Sequence, residues 1–332
     1  MNIAVFSTKG YDLRSFEQVN AGYGHQLTFF EARLTADTAS LATGFEGVCI
    51  FVNDEVDAAA IETMAAGGTQ IIATRSAGYN QINLQAAAEH GVRVARVPAY
   101  SPNAVSEFTV GIILTLGRQI HRAYNRVRDA NFELDGLQGF ELREKTVGVF
   151  GTGKIGAAVI KNLSGFGCRI LAFDRYPNPE IEPLAEYMAD PQEIARQADI
   201  LTFHIPLTPD THHFINKETI SQLKDGVFIV NTSRGALLDT AAIIEGLKSG
   251  KIGYLAIDVY EEESSLFFRD LSSEIVTDDV FARLLTFPNV LVTGHQAFLT
   301  DRALQNIAET TLTNFSEFEA TGTCKNEVVW EE

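Results

Sequence analysis

The residues with the greatest chemical capacity follow three apolar runs in the second half of the chain. They are Arg234 in Asn231-Thr232-Ser233-Arg234-Gly235, the acids Glu261, Glu262 and Glu263 after Asp258-Val259-Tyr260, and His295 in Gly294-His295-Gln296-Ala297-Phe298. An arginine, a carboxylate and a histidine form a complete set for reducing a 2-keto acid by hydride transfer. The rigid guanidinium fork grips a carboxylate at two points and polarises the adjoining carbonyl. Histidine, whose ordinary pKa lies near neutrality, can protonate the carbonyl oxygen as hydride reaches carbon, and a neighbouring carboxylate favours the charged ring and fixes its tautomer. The reverse reaction needs the neutral ring as base, so oxidation should prefer a higher pH than reduction. Each residue also has a plainer role open to it: Arg234 in a surface ion pair, the glutamates as a solvated charge run with at most one catalytic member, His295 as a satisfied strand-end histidine.

The sharpest motif is Gly151-Thr152-Gly153-Lys154-Ile155-Gly156, placed after the apolar run Thr146 to Phe150 and before a helix from Ala157 to Leu163. One glycine makes the tight turn, one lets the backbone approach a pyrophosphate, and one allows close packing of helix on strand. The helix N-terminus then offers free N–H groups and partial positive charge to phosphates. Asp174 ends the next strand, about twenty residues past the glycines, where such an acid accepts hydrogen bonds from adenosine ribose hydroxyls. A carboxylate there repels the 2′-phosphate of NADP, so NAD is expected; Arg175 is the neighbour that could reach a phosphate instead, and a turn-capping role is the plainer reading of Asp174. Further cofactor contacts are expected from Lys154 and Ile155 in the loop, and from Ile205, Pro206, Thr211, Thr232, Ser233 and Asp258.

These side chains require a scaffold of parallel strands, because ligands of such sheets bind beyond the strands' carboxyl ends. Runs at Ile3 to Phe6, Leu27 to Phe30, Val48 to Val52, Ile71 to Thr74 and Val92 to Val97 read as one buried series. A second series runs through Val147 to Phe150, Ile170 to Phe173, Ile200 to Ile205, Val227 to Asn231, Leu255 to Asp258 and Val290 to Thr293. Ser101-Pro102 signals a helix start, and helical spacing continues to about Ala130 as one long helix between domains. Another helix is expected from Thr300 to about Ala320. The 332 residues, 45% hydrophobic, exceed what one core usually accommodates, so two α/β domains are expected.

The net charge of −17 argues against nucleic-acid or anionic-membrane partners and makes an arginine in a cleft the natural anchor for an anionic substrate. Cys49, Cys168 and Cys324 are widely spaced and suggest neither a disulfide framework nor a zinc site, which suits a reducing cytoplasm. The N-terminus lacks the pattern of a signal peptide, so the chain reads as soluble, unprocessed and cytoplasmic. His25, His90, His121, His204, His212 and His213 lack metal-ligand spacing and read as structural or surface residues, with His204 near the cofactor; no metal is expected.

The chain resembles the D-isomer-specific 2-hydroxyacid dehydrogenases, and within that family the fermentative D-lactate branch. The resemblance runs through Phe51-Val52-Asn53-Asp54, Arg75-Ser76-Ala77-Gly78-Tyr79-Asn80, Val97-Pro98-Ala99-Tyr100-Ser101-Pro102, the helix at Ile120-His121-Arg122-Ala123-Tyr124, the glycine loop, the arginine segment and Gly294 to Thr300. It implies that Arg234 binds substrate, that Glu263 is the acid paired with His295, and that His295 donates the proton. It also implies that backbone amides near Ser76, Ala77 and Gly78 hold the substrate carboxylate, with Tyr100, Phe298 and nearby Phe51 lining the pocket. The implied fold is two Rossmann/flavodoxin-like parallel-sheet domains: a discontinuous substrate domain, residues 1–100 and 299–332, with an NAD domain, residues 101–298, inserted and a cleft that closes over the cofactor. The implied reaction is reduction of pyruvate to D-lactate with NADH, the alternatives being a larger 2-keto acid, hydroxypyruvate or glyoxylate. A homodimer or homotetramer is implied as well.

Overall fold

Short runs rich in valine and isoleucine form two all-parallel sheets in the computed structural model, which describes residues 1–330. The chain divides into two units, Met1–Ser101 with the segment from Leu299 onward, and Pro102–Phe298. Ser101, expected to open the second domain, groups with the first unit.

In the first unit, β1 (Asn2–Val5), β2 (Gln26–Phe29), β3 (Gly47–Ile50), β4 (Ile71–Thr74) and β5 (Arg93–Ala95) lie in the order β2-β1-β3-β4-β5, the flavodoxin-like arrangement. Strand alternation sends Ile3 and Val5 to one face, against Leu312 and Phe315 of the helix Asp301–Thr321. Ala4 and Phe6 face the other way, toward Ile61 and Met64. The Thr300 hydroxyl caps the helix by accepting from the Ala303 amide. Beyond the strand ends lies a buried charge, Arg75. Its guanidinium donates to the Phe6 carbonyl at 3.0 Å and the Ser7 carbonyl at 3.3 Å, and lies 3.5 Å from Asp12. Burial opposes its charge, yet Asp12 and the neighbouring groups outweigh that and raise its pKa further.

The second unit contains β6 (Thr146–Phe150), β7 (Arg169–Phe173), β8 (Glu186–Tyr187), β9 (Ile200–Phe203), β10 (Val227–Asn231), β11 (Ile252–Ile257) and β12 (Val290–Val292), in the order β12-β11-β10-β9-β6-β7-β8. The direction of strand succession reverses between β6 and β9, the switch point at which doubly wound sheets bind ligands. Val147, Val149, Phe228 and Val230 point to one face; Phe150, Leu201, Ile229 and Ile257 point to the other. Six strands were expected here, and β8 is the addition: two residues at the sheet edge, too short to register as an apolar run.

The single helix expected from Pro102 to about Ala130 is two helices, Pro102–Gly117 and Ile120–Arg128. The Gly117 carbonyl accepts from the Phe140 amide, and Gln119 takes a left-handed backbone with φ 55°. A tertiary hydrogen bond thus takes the acceptor that would have continued the helix. No helix among the described residues is long and apolar enough to cross a membrane.

Candidate active site

The catalytic candidates follow three adjacent strands, β10, β11 and β12. After β12 the chain turns so that His295 adopts a left-handed backbone, φ 52°, a conformation histidine tolerates better than branched residues. Its Nδ1 lies 2.8 Å from Glu263 Oε1. The other Glu263 oxygen accepts from the Tyr260 amide at 3.0 Å, so the carboxylate is fixed at both ends. Both side chains are partly exposed, the histidine 17% and the glutamate 23%, which leaves the pair open to a ligand. The Phe268 ring, which sequence alone did not single out, stands 5.7 Å from the imidazole, centroid to centroid.

Arg234 is half-buried, with Nη1 donating to the Ser233 carbonyl at 2.8 Å. A Cβ on the next residue, Gly235, would overlap the carbonyl of Tyr260 and the amide of Glu261. Only glycine lets the arginine turn lie directly on the segment that leads to Glu263. Of the three glutamates, Glu262 is exposed, Glu261 pairs with His213, and Glu263 meets His295.

Asp258, expected among the cofactor contacts, is fully buried at the end of β11 and organises the histidine loop. One oxygen accepts from Thr293 Oγ1 at 2.6 Å and the Gln296 amide at 2.9 Å; the other accepts from the Ala297 amide at 2.8 Å. Its carbonyl accepts from the His295 amide at 2.7 Å. Burial raises its pKa, and the three hydrogen bonds oppose that rise.

The glycine loop has the form a dinucleotide requires. A Cβ on Gly151 would overlap the His204 carbonyl, and one on Gly156 would overlap the Gly151 carbonyl, whereas Gly153 faces open space. Two glycines therefore allow backbone packing, and the third clears the approach to the helix Lys154–Ser164. Here lies a cavity of about 780 Å³, lined in part by Thr152, Gly153, Lys154, Asp174, Tyr176 and Asn178. Asp174 caps the turn by accepting from the Tyr176 amide at 2.9 Å and closes the glycine loop by accepting from the Thr152 amide at 2.5 Å. The Thr152 hydroxyl donates at 3.1 Å to the same oxygen as its amide, so of a carboxylate's roughly four acceptor positions about one, on Oδ1, is left for a ribose hydroxyl. Arg175, the one residue that argued for a phosphate, is paired with Asp210 at 2.9 Å. Tyr187 on β8 supports the loop, donating to Thr152 Oγ1 at 2.9 Å.

Lys154 is exposed beside the loop, and Ile155 packs its side chain on the core. Ile205 and Pro206 follow β9; Thr211 folds the turn back by donating to the Pro206 carbonyl at 2.7 Å. Ser233 donates to the Ile205 carbonyl at 2.9 Å, joining the segments after β9 and β10. Thr232 is buried with its hydroxyl 2.9 Å from that of Thr109, so the side chain is committed to the protein interior. His204 sits behind the glycine loop with Nε2 3.1 Å from Thr202 Oγ1, and burial pushes its pKa down to about 3, which keeps it neutral.

The expected substrate contacts other than Phe298 belong to the first unit. Ser76 is buried with its hydroxyl donating to the Gly78 carbonyl at 2.7 Å, which folds residues 76–78 into a tight turn beyond β4. The Ala77 carbonyl accepts from Arg96 at 3.0 Å. Phe51 is buried with the Arg75 guanidinium 5.0 Å above its ring, and the Tyr100 carbonyl accepts from Asn306 at 2.5 Å. Phe298 is buried in the second unit. The Arg75 and Asp12 pair escaped the sequence reading, although an arginine directly after a buried strand was its signal.

Comparison with known proteins gives one consistent answer. Residues 110–297 match the family model of the D-isomer specific 2-hydroxyacid dehydrogenase NAD binding domain. D-lactate dehydrogenase of Escherichia coli is 51% identical over 329 residues, 99% of this chain and 100% of that protein. The apo-structure of D-lactate dehydrogenase from Escherichia coli superimposes with a TM-score of 0.90, covering 99% of this chain and all of that one at 50% identity. An aromatic 2-oxoacid reductase of Clostridium sporogenes is 46% identical over 330 residues, 99% of each chain. The cofactor is NAD, as expected from the glycine loop and Asp174, and the chain belongs to the D-isomer specific 2-hydroxyacid dehydrogenases.

Proposed function

We propose that the protein is a cytoplasmic D-lactate dehydrogenase that reduces pyruvate to D-lactate with NADH. The observation that carries the chemistry is the 2.8 Å contact between His295 Nδ1 and Glu263 Oε1, at the carboxyl end of the same parallel sheet that carries the glycine loop. When bound, the cofactor supplies the hydride to the keto carbon. Arg234 binds the substrate carboxylate through its planar fork and draws electron density from the carbonyl. Glu263 occupies Nδ1 of His295, so Nε2 is the atom that delivers the proton to the carbonyl oxygen. Asp258 holds residues 293–297, and with them the imidazole, in place.

Similarity to the aromatic 2-oxoacid reductase supports a second reading, in which a bulkier keto acid is preferred. A pocket distinguishes substrates differing by one methylene by only about 1 to 3 kcal/mol, so discrimination is graded. NADH oxidation measured with pyruvate, phenylpyruvate, hydroxypyruvate and glyoxylate, with chiral analysis of the product, tests both. The expected result is the highest kcat/KM with pyruvate and a D product. A higher value with phenylpyruvate would replace the lactate assignment, and an L product would overturn the stereochemical one. Family membership also supports a homodimer or homotetramer, which light scattering on the eluting protein would read directly; a monomer would refute it.

A further inference from the structure

Sequence spacing gives no metal set, yet the fold brings His212 and His213 against Glu261. Their ligand-capable atoms all lie within 4.8 Å of one another. The two imidazoles stack with centroids 3.9 Å apart, helped by a left-handed backbone at His213, φ 51°. His213 Nε2 lies 2.5 Å from Glu261 Oε1, and the other carboxylate oxygen accepts from Thr240 Oγ1 at 3.1 Å. His213 and Glu261 are partly covered, with side-chain exposures of 32% and 23%, while His212 is exposed.

We propose that His212, His213 and Glu261 bind one divalent cation of the zinc class. Two neutral imidazoles and one carboxylate oxygen form a ligand set suited to zinc, with the fourth tetrahedral position left to water. Magnesium or calcium would require more oxygen ligands than this cluster offers. Metal–ligand bonds of about 2.0–2.2 Å place tetrahedral ligands roughly 3.3–3.6 Å apart. His213 and Glu261 therefore separate slightly, the proton between them leaves, and the exposed His212 ring swings in. Thr240 fixes one carboxylate oxygen and leaves the other to the ion, as outer hydrogen bonds do around metal sites. Glu261 stands two residues before Glu263, so the cation ties the turn at residues 211–213 to the segment that orients His295.

The test is a Co2+ titration of chelator-treated protein, followed by visible d–d absorption and by calorimetry, with Zn2+ as competitor. One equivalent should bind with the intense bands of tetrahedral cobalt and be displaced by Zn2+. His212→Ala, which alters an exposed side chain, should weaken binding by about tenfold or more, and Glu261→Gln should weaken it further. Absence of stoichiometric binding would overturn the proposal. So would equal binding by wild type and both variants, or a thiolate-to-cobalt charge-transfer band placing the ion on a cysteine.

Discussion

His295 and Asp174 show how one side chain carries a structural and a chemical duty together. His295 is held through Nδ1 by Glu263 and through its backbone by Asp258, so its removal should affect the proton step more than cofactor affinity. His295→Ala is expected to lower kcat by at least about a hundredfold, with NADH affinity by fluorescence titration nearly unchanged; undiminished turnover would remove it from the mechanism. Asp174 both caps a turn and faces the cavity beside Gly153. Asp174→Ala should raise KM for NADH and increase the relative use of NADPH, since a repulsive charge toward a 2′-phosphate is gone. An unchanged cofactor ratio in steady-state assays would refute the ribose contact. The identities of these residues were legible because their chemistry is intrinsic to the side chain. Which glutamate serves His295 was not legible from charge alone: three consecutive acids look alike in sequence and are separated only by the backbone path after β11.

At the scale of elements, the active-site loops are cross-braced. Gly235 seats the arginine turn on the Tyr260–Glu261 backbone, and Asp258 gathers the histidine loop with three accepted hydrogen bonds. Removing a buried acceptor strands its donors, which costs more than the bonds themselves were worth in water. Asp258→Ala should therefore lower stability by about 3 kcal/mol, seen as a reduced melting temperature. It should also lower kcat by at least about tenfold in protein that remains folded, because His295 is displaced. A variant with normal stability and turnover would show that the loop holds itself. Strands were readable from apolar periodicity, and helix starts from Pro102 and Thr300. The break between Pro102–Gly117 and Ile120–Arg128 was not, because its cause is Phe140, more than a turn of sequence away and recruited by tertiary packing.

For the whole molecule, acid sensitivity follows from how carboxylates are held. Asp199 is partly buried, which works against its charge, but the Thr146 amide at 2.8 Å and the Lys224 ammonium at 3.0 Å prevail and hold its pKa below the usual aspartate range. A lowered folded-state pKa contributes stability above the unfolded value of about 3.9 and loses it as pH falls through the folded value. Asp199→Asn should cost about 1 kcal/mol near neutrality and progressively less below about pH 4. Urea unfolding across that range reads this directly, and a pH-independent difference would contradict it. Asp54 and Asp258 run the other way, since burial raises their pKa and favours the protonated form on folding.

The sequence by itself determined the cofactor fingerprint, the two strand series and the residue types of the reaction, because glycine spacing, apolar periodicity and side-chain chemistry are local properties. Tertiary structure alone decided the burial of Asp258 as the clamp of the histidine loop and the meeting of His213 with Glu261 across 48 residues, and it brings together Glu263 and His295, a pairing that residue chemistry left open and only the family resemblance implies. Those relations depend on which strand ends become neighbours in a parallel sheet. Strand order is set by packing over the whole unit, and no short window of residues encodes it. The arginine, glutamate and histidine that first suggested keto-acid reduction were visible in the chain; their arrangement along adjacent strand ends was the work of the fold.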